Sequence, residues 1–272
     1  MLENPALIYQ GPKPTPWQPK SPAPLILLHD GGGTTFNYHC LYPIGRTLYG
    51  IQNSHLDEGG YWDSGVSGMA AHWYIKLIES VLPKGGDILL GGWSFGGHLS
   101  LEVAWQMLNQ PTNSTRPKYR VLGMVFIDSI CPKEIFEDRN KHVISDEPVL
   151  KSPEELKDMV LRDKVFLNMA NARAMIKRWK MPDWNSRLSE IPPTIMLRAK
   201  EFVGDGTEVV DHHRDSRFLG WDRYLDDGGA WIKDIVDLDG HHFNIFDGEY
   251  LKDITAKIAA AANELDVQDL DL

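Results

Sequence analysis

Residues 87–97 read Asp-Ile-Leu-Leu-Gly-Gly-Trp-Ser-Phe-Gly-Gly, an apolar run followed by a serine that has glycine two positions to either side. A helical spacing of apolar residues continues over 97–109. A serine hydroxyl attacks an acyl carbon once a neighbouring imidazole takes its proton and a carboxylate fixes the imidazole tautomer and stabilises its charged form. A sharp strand-to-helix turn presents such a hydroxyl at the cost of backbone strain, and Gly92 and Gly96 remove the Cβ atoms that would collide there. The bare glycine-serine-glycine spacing is a weak signal; its position between a strand and a helix makes Ser94 the expected nucleophile. The first amides and the dipole of the following helix stabilise negative charge that develops on the attacked carbonyl oxygen, which makes the Phe95 amide the expected first oxyanion donor. The second is expected from the loop His29-Asp30-Gly31-Gly32-Gly33, where glycines let the backbone approach a ligand. Gly31 is the preferred donor, with Asp30 and Gly32 as neighbouring alternatives.

The partners of a serine on such a turn follow in the chain order acid, then histidine. Near the C-terminus an apolar run over 234–238 leads into Asp239-Gly240-His241-His242-Phe243-Asn244, a glycine turn that presents histidine at a sheet edge. Two adjacent side chains on a turn cannot both face Ser94. His242 is preferred over His241 because it directly precedes Phe243, an apolar residue able to anchor the loop. His29, His39, His98, His212 and His213 read as structural or surface residues, and the charged stretch 211–215 reads as a solvated loop rather than a metal site. For the acid, Asp128 closes one apolar run and Asp205 follows another through Gly204-Asp205-Gly206. Both lie at the carboxyl end of a strand, and local physics leaves the choice open.

The elements that must position these groups alternate. Short apolar runs at 25–29, 87–91, 121–127, 194–197 and 234–238 read as strands, and 68–82, 97–109 and 250–265 have helical spacing. This is the pattern of a mostly parallel sheet with helices on both faces. Residues 25–131 and 192–272 form the expected core. Residues 132–191 separate two strands by more than a crossover helix requires, and 153–180 has helical composition, so the segment reads as an inserted helical lid over the strand ends where ligands bind. Trp93, Phe95, Phe166, Met169, Met175 and Trp179 are the candidate apolar contacts for an acyl chain. Arg173, Lys177, Arg178 and Lys180 form the densest cationic stretch of the lid and could meet an acidic partner.

The rest of the composition narrows the function classes. The chain has 272 residues, 42% of them hydrophobic, enough for a large core, and no apolar stretch long enough for a membrane span. Residues 1–24 carry seven prolines without a basic, then apolar leader pattern and read as an irregular N-terminal arm. Two cysteines, Cys40 and Cys131, outside metal or redox spacing fit a reducing, cytoplasmic compartment. A net charge of −10 argues against nucleic acid as the main partner. Neither a cofactor nor a metal is called for.

Three blocks carry a resemblance. Leu25-Ile26-Leu27-Leu28-His29-Asp30-Gly31-Gly32-Gly33-Thr34, the Tyr49-Gly50-Ile51 step with Trp62 and Met69-Ala70 beyond it, and Gly91-Gly92-Trp93-Ser94-Phe95-Gly96-Gly97 resemble the type I thioesterase family of α/β-hydrolases. The likeness is greatest to thioesterase and Claisen-cyclase domains of fungal polyketide synthases, extends from about residue 24 onward and is weakest in the lid. It implies Asp128, in Ile127-Asp128-Ser129, as the acid and His242, in Gly240-His241-His242-Phe243, as the base. Further, it implies an acyl-serine route on a polyketide-type thioester, with hydrolysis, ring closure, transesterification or editing as outcomes. The chain reads as a free-standing version that meets an acyl carrier protein or a polyketide synthase in trans, or takes a coenzyme A-linked acyl group. A carboxylesterase acting on small oxygen esters and a silent binding module are the rival readings.

Overall fold

Odd and even positions of the apolar runs take opposite sides of one sheet. In the computed structural model, which describes residues 3–17, 20–109, 118–133, 147–206 and 208–266, the strands are β1 (Ala6–Tyr9), β2 (Leu25–Leu28), β3 (Leu48–Ile51), β4 (Gly86–Trp93), β5 (Tyr119–Ile127), β6 (Thr194–Glu201) and β7 (Ile232–His241). Leu25, Leu27, Leu89, Val125, Ile127, Ile195 and Leu197 pack on one side against Tyr38 of α1 (Phe36–Cys40) and against Ile254, Ile258 and Leu265 of α7 (Leu251–Leu265). Ile26, Leu28, Ile88, Leu90, Met124, Phe126 and Met196 pack on the other side. Their partners come from α2 (Gly65–Met69), α3 (Ile75–Val81) and α4 (Phe95–Leu108). Strands buried on both faces are apolar at every position rather than alternating, which is why they stand out as runs.

The strand order is β1-β3-β2-β4-β5-β6-β7. Every pairing is parallel except that of β1, which lies antiparallel on β3 at the edge. The chain winds from β2 outward to β3, then crosses back and continues from β4 to β7. The winding therefore reverses between β2 and β4, and a crevice opens at their carboxyl ends. This is the α/β-hydrolase fold. Two sequence expectations need correction. The N-terminal arm is not irregular throughout, because Ala6–Tyr9 forms an edge strand; its four residues between Pro5 and Pro12 are too short a run to stand out among prolines. The Tyr49-Gly50-Ile51 step, noted only as a motif, belongs to β3. The helix expected over 68–82 starts earlier, at Gly65, and carries a single widened turn at Ala70–Tyr74 between α2 and α3.

Between β5 and β6 the described part of the insertion comprises α5 (Pro153–Asp158) and α6 (Leu161–Arg178), then a tight helical stretch at Trp184–Glu190. The α5 start is a capping box in which Ser152 accepts from the Glu155 amide, with Pro153 in the first turn. Two buried asparagines fix α6 to the loop after β3. Asn168 donates to the Leu56 carbonyl at 3.1 Å, and Asn171 donates to the carbonyls of Gly59 (2.7 Å) and Val149 (3.1 Å) while accepting from the Val149 amide. Gly59 and Gly60 both have positive φ, and a Cβ on Gly60 would run into the Asn168 side chain. At its far end the insertion is tied to α4, where the Trp179 indole donates to Glu102 at 2.8 Å. Asn171→Ala leaves these backbone groups without their partner, a cost of about 1–3 kcal/mol for such buried groups. We expect amide exchange across residues 161–178 to accelerate in that variant while exchange in β2, β4 and β5 stays at the wild-type rate.

Candidate active site

Ser94 follows β4 directly and takes φ 56°, a left-handed conformation that a serine holds only when its surroundings enforce it. The Ser94 amide donates to the Ile127 carbonyl at 2.8 Å, which ties the turn to the end of β5. A Cβ on Gly92 would sit 2.6 Å from both the Leu28 carbonyl oxygen and the Gly96 Cα, and one on Gly96 would also collide with the Leu28 oxygen. Glycine at both positions is what lets the N-terminus of α4 close against the end of β2. The Ser94 turn and the His29–Thr34 loop therefore face each other across the reversal of strand order.

Asp128 continues β5 with φ 46° and is fully buried, as is the chain around it. Its Oδ1 accepts the Ala199 amide at 2.8 Å and the Arg214 Nη1 at 2.6 Å. The Oδ2 accepts the Arg214 Nη2 at 2.8 Å and the His242 Nδ1 at 2.7 Å. Burial alone would raise this carboxyl; the hydrogen bonds and charges of His242 and Arg214 outweigh it and hold Asp128 down at about 2. Since an ionised carboxylate only accepts, Nδ1 of His242 carries the proton and Nε2 is left to accept from the Ser94 hydroxyl, 3.1 Å away. His242 is nearly inaccessible to solvent, with the Trp93 ring 5.3 Å away and the edge of Phe243 at 4.9 Å. Gly240, at φ 91°, and Asn244, whose side chain accepts the His241 amide at 2.7 Å, shape the turn that presents it. The adjacent His241 ring instead accepts from the Phe243 amide at 3.2 Å.

A cavity of about 280 Å³ opens beside Ser94 and His242. Gly31, Phe95, Trp93 and Met169 line it, together with Asp30, His98 and Arg173. Gly31 faces Met169 and Ala172 of α6, so the glycine loop forms one wall and the insertion the other. Burial raises Asp30 to about 6, tempered by amides of its own loop including those of Thr34, Gly32 and Gly33. His98 is neutral at physiological pH, lowered to about 4 by burial, and its Nε2–H donates to the Ile130 carbonyl at 2.6 Å.

Three of the expected acyl contacts lie elsewhere. On α6, positions 165, 169, 172, 173 and 176 line the cavity, which is the i, i+4, i+7 face of a helix. Met175 falls off that face: it is buried in the core and, with Trp179, borders a separate cavity shared with Tyr61 to Ser67. Phe166 is largely exposed and lines a shallow groove with Arg173 and Phe243. The cationic stretch divides in the same way, Arg173 toward the Ser94 cavity and Arg178 and Lys180 toward the separate one, where Arg178 also donates to the Tyr61 hydroxyl at 3.1 Å. A further correction concerns residues 211–215. Far from being a solvated loop, they place Asp211, His213 and Arg214 in the interior, and Arg214 is the cation on Asp128. Alternating charges in a glycine-poor stretch look like surface; only the tertiary partner reveals that they are neutralised. His212 and His213 stack edge-to-face 4.6 Å apart, and no group of three metal-ligating side chains forms among the described residues. Cys40 is exposed, Cys131 is buried, and no disulfide joins them. No helix among the described residues is long and apolar enough to cross a membrane.

No family model matches the chain. The protein is similar over nearly its whole length to curated fungal proteins. It is 36% identical to the thioesterase frbE of Dothideomycetidae sp. (strain 11243), covering 97% of each chain. With the probable thioesterase gloN of Glarea lozoyensis it shares 30% identity over 97% of this chain and 99% of the relative. Among solved structures, the NocB thioesterase domain in covalent complex with a fluorophosphonate nocardicin G analogue aligns with 92% of this chain and 96% of that one, at a TM-score of 0.59 and 22% identity, a likeness of fold. The extent of the identity to the fungal proteins, joined to an α/β-hydrolase scaffold with a serine at its strand-helix turn, places the chain in the thioesterase family.

Proposed function

We propose that the protein cleaves an acyl thioester through an acyl-Ser94 intermediate, with His242 as the general base and Asp128 as the acid behind it. The observation that carries this reading is the continuous hydrogen-bonded line from Ser94 Oγ through both nitrogens of His242 to Asp128. Nε2 takes the hydroxyl proton as Oγ attacks the thioester carbon. The negative charge that forms on the carbonyl oxygen meets the amides of Phe95 and Gly31, and the α4 dipole adds to their effect. Gly31 lines the cavity beside Ser94, which favours it as the second donor. The carbon–sulfur bond then breaks, and the leaving thiolate takes the proton back from His242. Water, or a nucleophile within the acyl chain, gives its proton to the same nitrogen, attacks the acyl carbon and expels Ser94.

The resemblance to polyketide-releasing domains, the thioesterase names of the fungal relatives and the cavity support this substrate class. An apolar space bounded by Trp93, Phe95 and Met169 suits a reduced or aromatic acyl chain, and one wall, α6, belongs to the insertion, which acts as a lid. The donor is an acyl group on a carrier protein or on coenzyme A, in the biosynthesis of a secondary metabolite, and the product is a free acid or a ring. The covalent step is read by incubating the protein with acyl chains on both kinds of donor and weighing it intact. An acyl adduct is expected on the wild type and absent from Ser94→Ala. Persistence of the adduct in that variant would overturn the assignment.

Two further outcomes test the geometry. Asp128→Asn is close in size, but its amide N–H faces a donor of the Arg214 fork and lets His242 take the wrong tautomer, so turnover should fall on the order of 10³- to 10⁴-fold. Met169→Trp narrows the wall opposite Gly31. Turnover of long acyl thioesters should then fall far more than that of an acetyl thioester, and parallel losses on both would show that the chain does not run past α6.

A further inference from the structure

The mechanism just described uses Asp128 and leaves unexplained the cation fixed to its far side. Arg214 lies in the connection between β6 and β7, and its side chain is wholly inaccessible. All five of its guanidinium N–H groups are used. Nε donates to Asp211 at 3.2 Å, Nη1 to Asp128 and to the Ala199 carbonyl at 2.6 and 2.8 Å, and Nη2 to Asp128 and to the Val210 carbonyl at 2.8 and 3.0 Å. The fork thus grips both oxygens of Asp128, a planar two-point contact that a lysine cannot make. Behind it, the Asp211 Oδ2 accepts the Val203 amide at 2.7 Å, so the second carboxylate is anchored to the main chain as well.

We propose that Arg214 is a positioning residue of the acyl-transfer site: it holds Asp128 ionised and directed at His242, and its charge, moderated by Asp211, sets the pH above which the Asp128–His242 pair can take the Ser94 proton. This rests on the reading of Ser94, His242 and Asp128 as the acyl-transfer groups. A cation in contact with Asp128 lowers the proton affinity of the pair as a whole, whichever atom of the pair would receive the proton. Asp211, on the other side of the guanidinium, partly cancels that field. Among the described residues, the other charged or titratable groups around the pair are Ser94 on the α4 turn, Asp30 in the glycine loop, His98 on α4 and Arg173 on α6, all lining the same cavity, the adjacent His241, and Arg198 on β6. Arg198 donates to the Arg214 carbonyl at 2.8 Å and pairs with Asp237 of β7 at 3.1 Å. None of these touches Asp128 directly except through Arg214 or His242, whereas Arg214 meets both carboxylate oxygens.

The sign of each perturbation is fixed. Without the Arg214 charge the pair binds a proton more readily, so the acid limb of the activity profile moves to higher pH, by about one to two units for a charge lost at such contact distance. Without the Asp211 charge the Arg214 field acts in full, and the limb moves to lower pH by a smaller amount. A residue that merely braces the fold would lower the plateau in either variant and move neither limb.

The test is the rate of Ser94 modification by a fluorophosphonate as a function of pH, which needs no knowledge of the natural acyl group. Arg214→Gln is expected to shift the acid limb up, Asp211→Asn to shift it down, and Arg214→Lys to keep the limb near its wild-type position while lowering the plateau. Limbs that coincide with the wild type in both Arg214→Gln and Asp211→Asn would overturn the proposal. Should Arg214→Gln fail to fold, Asp211→Asn decides alone, since a limb that does not move down overturns it. A wild-type protein unlabelled at Ser94 would instead defeat the nucleophile assignment on which the proposal stands, a failure distinguishable from an unmoved limb.

Discussion

A carboxylate with no water around it governs the arrangement of this site. Asp128 sits at the end of β5 with no accessible surface, and an unmatched charge there would cost several kcal/mol, on the order of what holds a whole domain together. Its four donors come from three separate stretches of chain: the Ala199 amide on β6, the Arg214 fork beyond it and the His242 ring after β7. One buried charge therefore requires β6, the β6–β7 connection and the last turn to converge on a single point. Parallel pairing of β4 with β5 then brings Ser94 to the same place, because Trp93 is registered against Ile127 and the Ser94 amide bonds to the Ile127 carbonyl. A buried ion pair of this kind is weak evidence for net stability, since apolar residues of the same volume often do as well. Its role is better understood through the atoms it orders than through the energy it adds.

The chain's legibility followed the range of the physics involved. The turn at Ser94 was readable because its causes are local: an apolar strand, a helix start, and glycines whose absent side chains make room for the Leu28 carbonyl. Apolar runs at β2, β4, β5 and β6 were readable because both of their faces are buried. By contrast, β1 is four residues at an edge, and its only signal is pairing with β3, more than forty positions away in the register Ala6 to Gly50. Neighbouring residues alone left Asp128 and Asp205 level as well, because each ends a strand; what separates them is a hydrogen bond to a histidine 114 positions further on. The charged stretch around Arg214 looks like surface for the same reason. Charges look solvated in a sequence until their partners are known, and the partner of Arg214 lies 86 positions upstream.

The insertion shows a different limit. Helical composition over 153–180 was enough to expect α6, but which residues face the serine depends on the rotation of that helix, and the rotation is set by Asn168 and Asn171. Their bonds to the loop after β3 turn positions 169, 172, 173 and 176 toward Ser94 and positions 175 and 179 away from it. The pocket wall is thus specified by two amides that a hydrophobicity pattern passes over, and a change in either would re-aim the wall without altering any residue in it.

Histidine itself carried little information, and the reason is instructive for the site as a whole. His29, His98 and His242 are all buried within the same region. His29 and His98 are each lowered to about 4 by burial, and their hydrogen bonds run to main-chain carbonyls and, for His29, to the Tyr74 hydroxyl. At neutral pH these two rings stay uncharged and have no carboxylate to stabilise a proton received from a neighbour. His242 differs in one contact, an ionised Asp128 on Nδ1, and that contact leaves its Nε2 facing the Ser94 hydroxyl as an acceptor. On the proposed reading, the distinction between a structural imidazole and a base is therefore made one residue back, at the carboxylate. In the proposed mechanism, whatever keeps that carboxylate charged, Arg214 above all, acts on the reaction without touching the substrate.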